Sequence, residues 1–444
     1  MLSKIRKFTL SRLNAERVNM LWLLFEKGIN LSFVLAVNIF MARELGPQKF
    51  GLINYLLAMT SIILATAPIG VNAIVVKDVL SSPPKLVTNI IYNSLFLRAI
   101  GSIVVMLIFA LLVYLDVFTG IENKWLYLVL VSAIASIFYL FDFYFQAKQK
   151  AKYSVLSRMS IVFLFSAIKL WLIYFQYPFE FLIVTVLLEP LCLAIIYSLV
   201  FIRVFNGYRK PNMDFTYIKS VFKRSKWLIF SSISSVICLK VDQLMLGEMS
   251  SMNELGNYAI AVRFSEVWYF IPAIIMTSYF PKLISLKGGD NEKYNGYLQL
   301  ICNKLLAISV VIAVVMFFIS DVLISTLYGK EYLNASNVLI IHIFGSIFVF
   351  MRALFSKWIV NEGLYKFSLL THSVAALVNV VLNIILIPKA GGVGAAWATV
   401  LSYVLSSYLI LVFFNETRQF FCIMSRSLSL LFVFKALRAL LLRK

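Results

Sequence analysis

Two cations and two carboxylates flank one short turn, in the stretch LKVDQLMLGEMSSMNELGNYAIAVRFSE from Leu239 to Glu266. Lys240 and Asp242 precede the turn and Arg263 and Glu266 follow it. At 1.5 Å per helical residue, all four lie roughly 9–13 Å from the helix ends, at similar depth in an apolar layer. Charge at that depth is costly, so it faces a partner or a wet cavity. Two arrangements satisfy this. Either Asp242 pairs with Arg263 and Lys240 with Glu266, joining neighbouring helices, or the groups line a polar path. Glu26 and Lys27, adjacent in an earlier apolar run, pose the same choice, and only one of two adjacent helical residues can point centrally. Glu189 precedes Pro190 in the middle of another run. It is a candidate proton or sodium site, or a hydrogen-bond partner of the kink.

The elements that must position these groups are membrane helices. The chain has 444 residues, 61% hydrophobic and 14% charged, with mean hydropathy +0.90. A soluble domain is roughly half apolar and about a quarter charged. The apolar runs are continuous over about 20 residues, the helical signature and not that of a β-barrel. The pattern predicts twelve spans, at about 18–42, 50–76, 88–115, 125–147, 157–177, 181–202, 226–248, 257–281, 301–327, 336–357, 367–388 and 393–414. The fold class expected is all-α and polytopic, in two six-helix lobes. The domains expected are a basic N-terminus 1–17, an N-terminal lobe 18–202, a linker 203–225, a C-terminal lobe 226–414, and a tail 415–444 with an amphipathic interfacial helix.

The net charge of +21 invites a nucleic-acid reading until the cations are placed. With the N-terminus inside, 29 of the 41 Lys and Arg fall in inner connections and five in outer ones. That asymmetry puts both termini in the cytoplasm, where inner loops meet anionic headgroups, and requires no nucleic acid. Seven cations remain within spans: Lys27, Arg98, Lys169, Lys240, Arg263, Lys304 and Arg352. Lys304 is near an inner end and is expected to snorkel. The acids within spans are Glu26, Asp142, Glu189, Asp242 and Glu266.

Leu45-Gly46 and Leu255-Gly256 occupy the first outer turn of each half, 210 residues apart. An even span count makes such a repeat parallel, about an axis along the membrane normal. Ala67-Pro68-Ile69-Gly70, Pro190 and Pro272 interrupt spans, as hinges or static kinks. Asn379 and Asn383 share one helical face and either bond sugar hydroxyls or pack helix on helix. His342 and His372 read as buried histidines. The cysteines Cys192, Cys238, Cys302 and Cys422 lie in apolar runs without metal-ligand spacing and read as small core residues. No metal cluster, nucleotide loop or nucleophile triad stands out, so no catalytic residue and no metal are assigned.

Three motifs carry a resemblance: LGPQKFGLINY at 45–55, VDQLMLGEMSSMNELGNYAIAVRF at 241–264 and NVVLNIILIPKAGGVGAAWATVLSY at 379–403. Together the chain resembles the Wzx-type O-antigen flippases, within the multidrug, oligosaccharidyl-lipid and polysaccharide exporters. The resemblance implies a V-shaped alternating-access bundle in the bacterial inner membrane. It implies translocation of an undecaprenyl-pyrophosphate-linked oligosaccharide to the outer leaflet, with no cofactor beyond a proton or sodium gradient. A polysaccharide polymerase and a chain-length regulator are the implied partners, besides membrane lipids. The motif positions Asp242, Arg263 and Arg43 carry over. A pyrophosphate suits guanidinium forks, so Arg98, Arg263 and Arg352 lead as lumen candidates, with Lys27, Lys169 and Lys240 as point charges. A multidrug cation antiporter of the same fold, with an acidic lumen, is one rival. A membrane polymerase or ligase is another, disfavoured by the short outer connections.

Overall fold

The computed structural model describes residues 2–205 and 212–429; the side chains of residues 2–21, 23–27, 30, 31, 84, 227, 228 and 231 lie outside the description. Every regular element among the described residues is helical. The chain is all-α and polytopic. Nine of its described stretches are long and apolar enough to cross a membrane. Twelve spans were expected. Span one and most of span two fall within Leu2–Thr66, which breaks at Gly46 (φ 70°, ψ 169°) just before Pro47, where the turn between them was expected; spans eleven and twelve fall in the single stretch Lys366–Phe413, and span seven is not among the nine.

The helices form two compact units. The first comprises residues 1–45 and 56–233, the second residues 46–55 and 234–444. The first division falls at the Gly46 break, and the ten residues from Gly46 to Tyr55 join the second unit.

The first unit holds α1 (Leu2–Thr66, shared with the second), α2 (Val71–Ser81), α3 (Pro84–Tyr114), α4 (Asn123–Val129), α5 (Val131–Phe138), α6 (Leu140–Ala147), α7 (Ala151–Tyr174), α8 (Phe179–Val204) and the start of α9 (Phe215–Met249). The run expected as span two is broken. Pro68 follows the end of α1, and Ile69 and Gly70 take positive φ of 48° and 62°. Gly101 of α3 lies against this break; a Cβ there would sit 2.4 Å from the Ala67 carbonyl oxygen. At the end of α8, Phe141 stacks on Phe201 (4.2 Å) and Phe201 on Phe205 (4.6 Å), around a core of Val71, Val75, Leu140 and Phe145.

Polar bonds fix the start of α9 to α2 and α3. Asn93 donates to the Asn212 carbonyl (3.1 Å) and accepts from the Asp214 amide (2.9 Å), and Asn89 accepts from the Asn212 amide (3.2 Å). Arg224 then grips Asp78 with both nitrogens (2.9 and 2.8 Å), and Tyr217 donates to the same carboxylate (2.9 Å). Burial pushes the Asp78 carboxyl up, but the bonds from Arg224 and Tyr217 outweigh it and hold it below the usual carboxylate range. A depressed carboxylate stabilises above its unfolded pKa and loses that contribution as pH falls through the folded value. Asp78→Asn should therefore cost about 1 kcal/mol at neutral pH, discounted because Arg224 is partly exposed. The gap to wild type should close below about pH 4. Melting curves of both proteins across that range are the measurement; a gap independent of pH would refute the assignment.

The second unit holds the rest of α9, then α10 (Met252–Glu266), α11 (Phe270–Leu286), α12 (Asn291–Leu327), α13 (Asn334–Glu362), α14 (Lys366–Ser407) and α15 (Asn415–Leu428). Ser251 caps α10 by accepting from the Glu254 amide, and Asp290 caps α12. Pro272 lacks the amide that would bond back to Trp268, and a 3-10 turn at Val267–Tyr269 takes up the distortion between α10 and α11. α14 is a hairpin. Asn379 and Thr399 would lie about 30 Å apart along a straight helix. They are instead 3.3 Å apart, because the chain reverses at Gly391 (φ 51°). Glu254 closes this corner by accepting from the Gly392 amide (3.0 Å).

The run expected as an amphipathic interfacial helix lies mostly beyond residue 429, outside the described residues; α15 precedes it. In α15, Thr417, Phe420, Ile423, Met424 and Ser427 are buried, and Phe420 packs on Phe355 (5.3 Å) and Trp358 (5.1 Å). The apolar face is thus docked on the unit's own core, which shields it from lipid. Lys435 and Arg438 lie outside the described residues. Of the cysteines, Cys238 and Cys302 are buried as expected, while Cys422 is exposed on α15.

The repeat has a different register from the one its Leu-Gly pairs suggest. Residues 46–55 cross α10 at bare backbone. A Cβ on Gly51 would lie 1.8 Å from the Met252 carbonyl oxygen, and a Cβ on Gly256 would lie 2.1 Å from that of Pro47. Pro47 and Met252, and Gly51 and Gly256, are each 205 residues apart. The contacting pairs therefore exchange roles at an offset of 205, where the Leu-Gly pairs are offset by 210. Since backbone atoms cannot swing aside, Gly256→Ala should lower stability by at least about 1–3 kcal/mol. Thermal unfolding in detergent would read it, and a melting temperature equal to wild type would refute the crossing.

Candidate functional site

The turn region does hold a polar centre, but not as two ion pairs. Asp242 is 3% exposed. It accepts from the Tyr258 hydroxyl, from the Gln243 amide (2.8 Å) and, at 3.5 Å, from the Thr399 hydroxyl. Asn379 donates to Thr399 Oγ1 (3.3 Å), and Asn383 donates to Asn379 Oδ1 (3.0 Å). Asn383 Oδ1 is buried without a partner. α9 supplies Asp242, α10 supplies Tyr258, and both arms of the α14 hairpin supply the rest. The Gly391 corner is what brings Thr399 opposite Asn379.

Among the described residues no cation lies within 4 Å of Asp242. Neither the Asp242–Arg263 pair nor the Lys240–Glu266 pair forms. Lys240, Arg263 and Glu266 are each half-buried, and Arg263 Nη1 is buried without a hydrogen bond. A carboxylate held only by neutral donors is poorly compensated in an apolar interior. Two half-buried cations without carboxylate partners are the complementary feature.

The other expected site residues divide. Asn379 and Asn383 are fully buried and bond each other and Thr399, the helix-packing arrangement of the two expected. Lys169 is paired to Glu189 at 2.5 Å, the charge-pairing that was one expected role for Glu189; the Pro190 carbonyl accepts from Tyr139 (3.3 Å). Arg352 donates to Ser407 (3.2 Å) and Thr371 (3.3 Å), within α13 and α14. Arg98, in the first unit, is 1% exposed, with Nε and Nη1 unbonded and its guanidinium 6.0 Å from the Phe143 ring. Arg43 is exposed. Glu26 and Lys27 lie outside the described side chains. His342 is a buried histidine bonded to Ser265 (2.8 Å), as expected.

Tyr258 and Thr399 are site residues that the reading of charges missed. Both were visible inside the quoted motifs. Thr399 is the polar residue closing Gly-Ala-Ala-Trp-Ala-Thr, and Tyr258 follows Leu-Gly-Asn. A hydroxyl in an apolar helix is a weak signal alone, since serine and threonine commonly bond their own helix.

The chain is thus a polytopic membrane protein whose helices bury a carboxylate among hydroxyls and an amide, near two cations that have no carboxylate partner among the described residues. Residues 17–287 match the polysaccharide biosynthesis protein family, and residues 228–385 match the MatE family. The chain belongs to the polysaccharide biosynthesis protein family. It is 24% identical over 211 residues to the "Probable low-salt glycan biosynthesis flippase Agl15" of Haloferax volcanii, covering 47% of this chain and 44% of that one. It is 22% identical over 367 residues to the capsular polysaccharide biosynthesis protein CapF of Staphylococcus aureus, covering 80% and 88%. The chain spans about half the length of several curated relatives it matches. Among solved structures, the lipid II flippase MurJ in an inward closed conformation superposes with a TM-score of 0.67 at 18% identity, covering 94% of this chain and 92% of that one. That likeness is one of fold.

Proposed function

We propose that the chain moves a lipid-linked glycan, an undecaprenyl-pyrophosphate-linked oligosaccharide such as an O-antigen repeat unit, from the inner to the outer leaflet of the bacterial inner membrane by alternating access. The observation that carries it is the pair of half-buried cations, Lys240 and Arg263, with no carboxylate bound to either. A pyrophosphate brings negative charge that must stay solvated or paired while its glycan crosses an apolar layer. A guanidinium and an ammonium supply that pairing, and the polyprenyl tail stays in lipid. Family membership and the flippase names of relatives support the same reading.

Asp242 would couple this movement to a gradient. An enclosed carboxylate with a tyrosine hydroxyl, a threonine hydroxyl and two amides in reach can take a proton or a sodium ion. Glu266 would compete with substrate for Arg263 and speed release. Both termini lie in the cytoplasm in this reading, no covalent step occurs, and a polysaccharide polymerase and a chain-length regulator act downstream.

The MatE match over residues 228–385 favours a second reading, a multidrug-type cation antiporter. Its cargo would be cationic, and the loss of Lys240 and Arg263 would not impair it. Complementation separates the readings. A strain lacking its O-unit flippase, supplied with the cognate glycan genes, should regain surface polymer when it expresses this chain. Absence of polymer despite membrane expression would overturn the proposal.

A further inference from the structure

One end of the second unit carries cations that transport does not use. Lys282 lies near the end of α11, Lys304 in the first part of α12, and Lys357 near the end of α13. Lys304 donates to the Tyr279 hydroxyl (2.8 Å) and lies 4.9 Å from the centroid of the same ring. Lys282 lies 5.1 Å from the Tyr297 ring, and the two tyrosine rings are 6.1 Å apart. Lys357 sits 5.4 Å from the Phe280 ring. Among the described residues, no carboxylate lies within 4 Å of any of the three. The acids nearby are engaged elsewhere: Glu362 with Lys287 and Asp290 with Lys293.

An exposed lysine without an acid is ordinary. Lys304 is not exposed but half-buried. Leu300, Val311 and Phe318 are exposed large side chains on one stripe of α12, and helical periodicity places Lys304 on that stripe. Ile274 and Ile284 are exposed on α11, which packs beside it. The groups thus form a cationic, hydroxyl-bearing head above an unpartnered apolar surface at a helix end. Cations between membrane helices at this level meet headgroup phosphates, and the ring faces hold the ammonium groups ready for one.

We infer that Lys282, Lys304 and the Tyr279 hydroxyl bind the phosphate of an anionic phospholipid headgroup, with its acyl chains along α11 and α12 and Lys357 at the margin. A phospholipid fits better than a free anion because exposed apolar side chains, Leu300 on α12 and Ile284 on α11, flank the site. The leaflet, cytoplasmic, rests on the orientation proposed above; the headgroup chemistry does not.

The test uses the full chain in neutral detergent, with thermal unfolding read against added lipid. Phosphatidylglycerol should raise the melting temperature, phosphatidylcholine should not, and neither inorganic phosphate nor pyrophosphate should reproduce the shift. Lys282→Gln/Lys304→Gln should weaken the apparent affinity for phosphatidylglycerol about 30-fold. Tyr279→Phe, which keeps the ring and its packing, should weaken it by a smaller factor and serves if the double variant does not fold. Lys219→Gln/Lys223→Gln, on the first unit, should leave it unchanged. An unaltered shift in both Lys282→Gln/Lys304→Gln and Tyr279→Phe would overturn the site. So would an equal response to phosphate alone, or an equal loss in the Lys219→Gln/Lys223→Gln control. Retained flipping in the double variant leaves the site standing, since binding is read apart from transport.

Discussion

Asp242→Asn is expected to reach the membrane folded and to lose gradient-driven transport. The amide preserves the volume and can still bond Tyr258 and Thr399, so the hairpin and α10 stay in place. What it lacks is the charge that would hold a proton or a sodium ion. Removing an uncompensated buried carboxylate costs little stability and can add some. An ion crossing 100 mV contributes about 2.3 kcal/mol, so the variant should lose up to about fiftyfold in the outward-to-inward ratio of substrate at steady state. Reconstituted vesicles with an imposed proton or sodium gradient give the measurement. The wild-type melting temperature should also respond to one of those ions, and that of Asp242→Asn should not. Equal gradient dependence in the two proteins would remove Asp242 from the mechanism.

Arg263→Ala should abolish most flipping, and Arg263→Lys should restore part of it. A charge-assisted bond to phosphate contributes about 1.5–3 kcal/mol, which corresponds to about 10–150-fold in transport rate at low substrate. Lysine keeps the charge and loses the fork, so its deficit should be smaller than alanine's. Alanine also removes a buried, unbonded nitrogen, so the fold should not suffer. That separates the substrate role from a structural one. A structural arginine would show its loss in the melting temperature, whereas a substrate-binding arginine shows it in surface polymer with the melting temperature intact. Full activity in both variants would sink the role.

The membrane class was legible in the sequence because apolar length and cation asymmetry are summed over hundreds of residues. The turn between α9 and α10 was legible too, because charges in an apolar run stand out. What those charges contact was not. Asp242 finds Thr399 and Asn379 only because Gly391 reverses α14, and a backbone reversal of that kind leaves little trace in a hydropathy pattern. The pairing of Lys169 with Glu189 across α7 and α8 is likewise set by helix rotation, which spacing alone leaves open. The run around Ala67-Pro68-Ile69-Gly70 carried its breakers in plain view, and the helix does end there. The docking of α15 was hidden for another reason. An apolar stripe on a short helix has the same sequence whether lipid or protein covers it.

The crossing at Gly51 and Gly256 has an internal symmetry. A contact in which each partner plays the other's part is the signature of an isologous interface between identical subunits. Here both partners belong to one chain, 205 residues apart. The two glycines therefore hold equivalent places in one crossing, and neither place has room for a side chain.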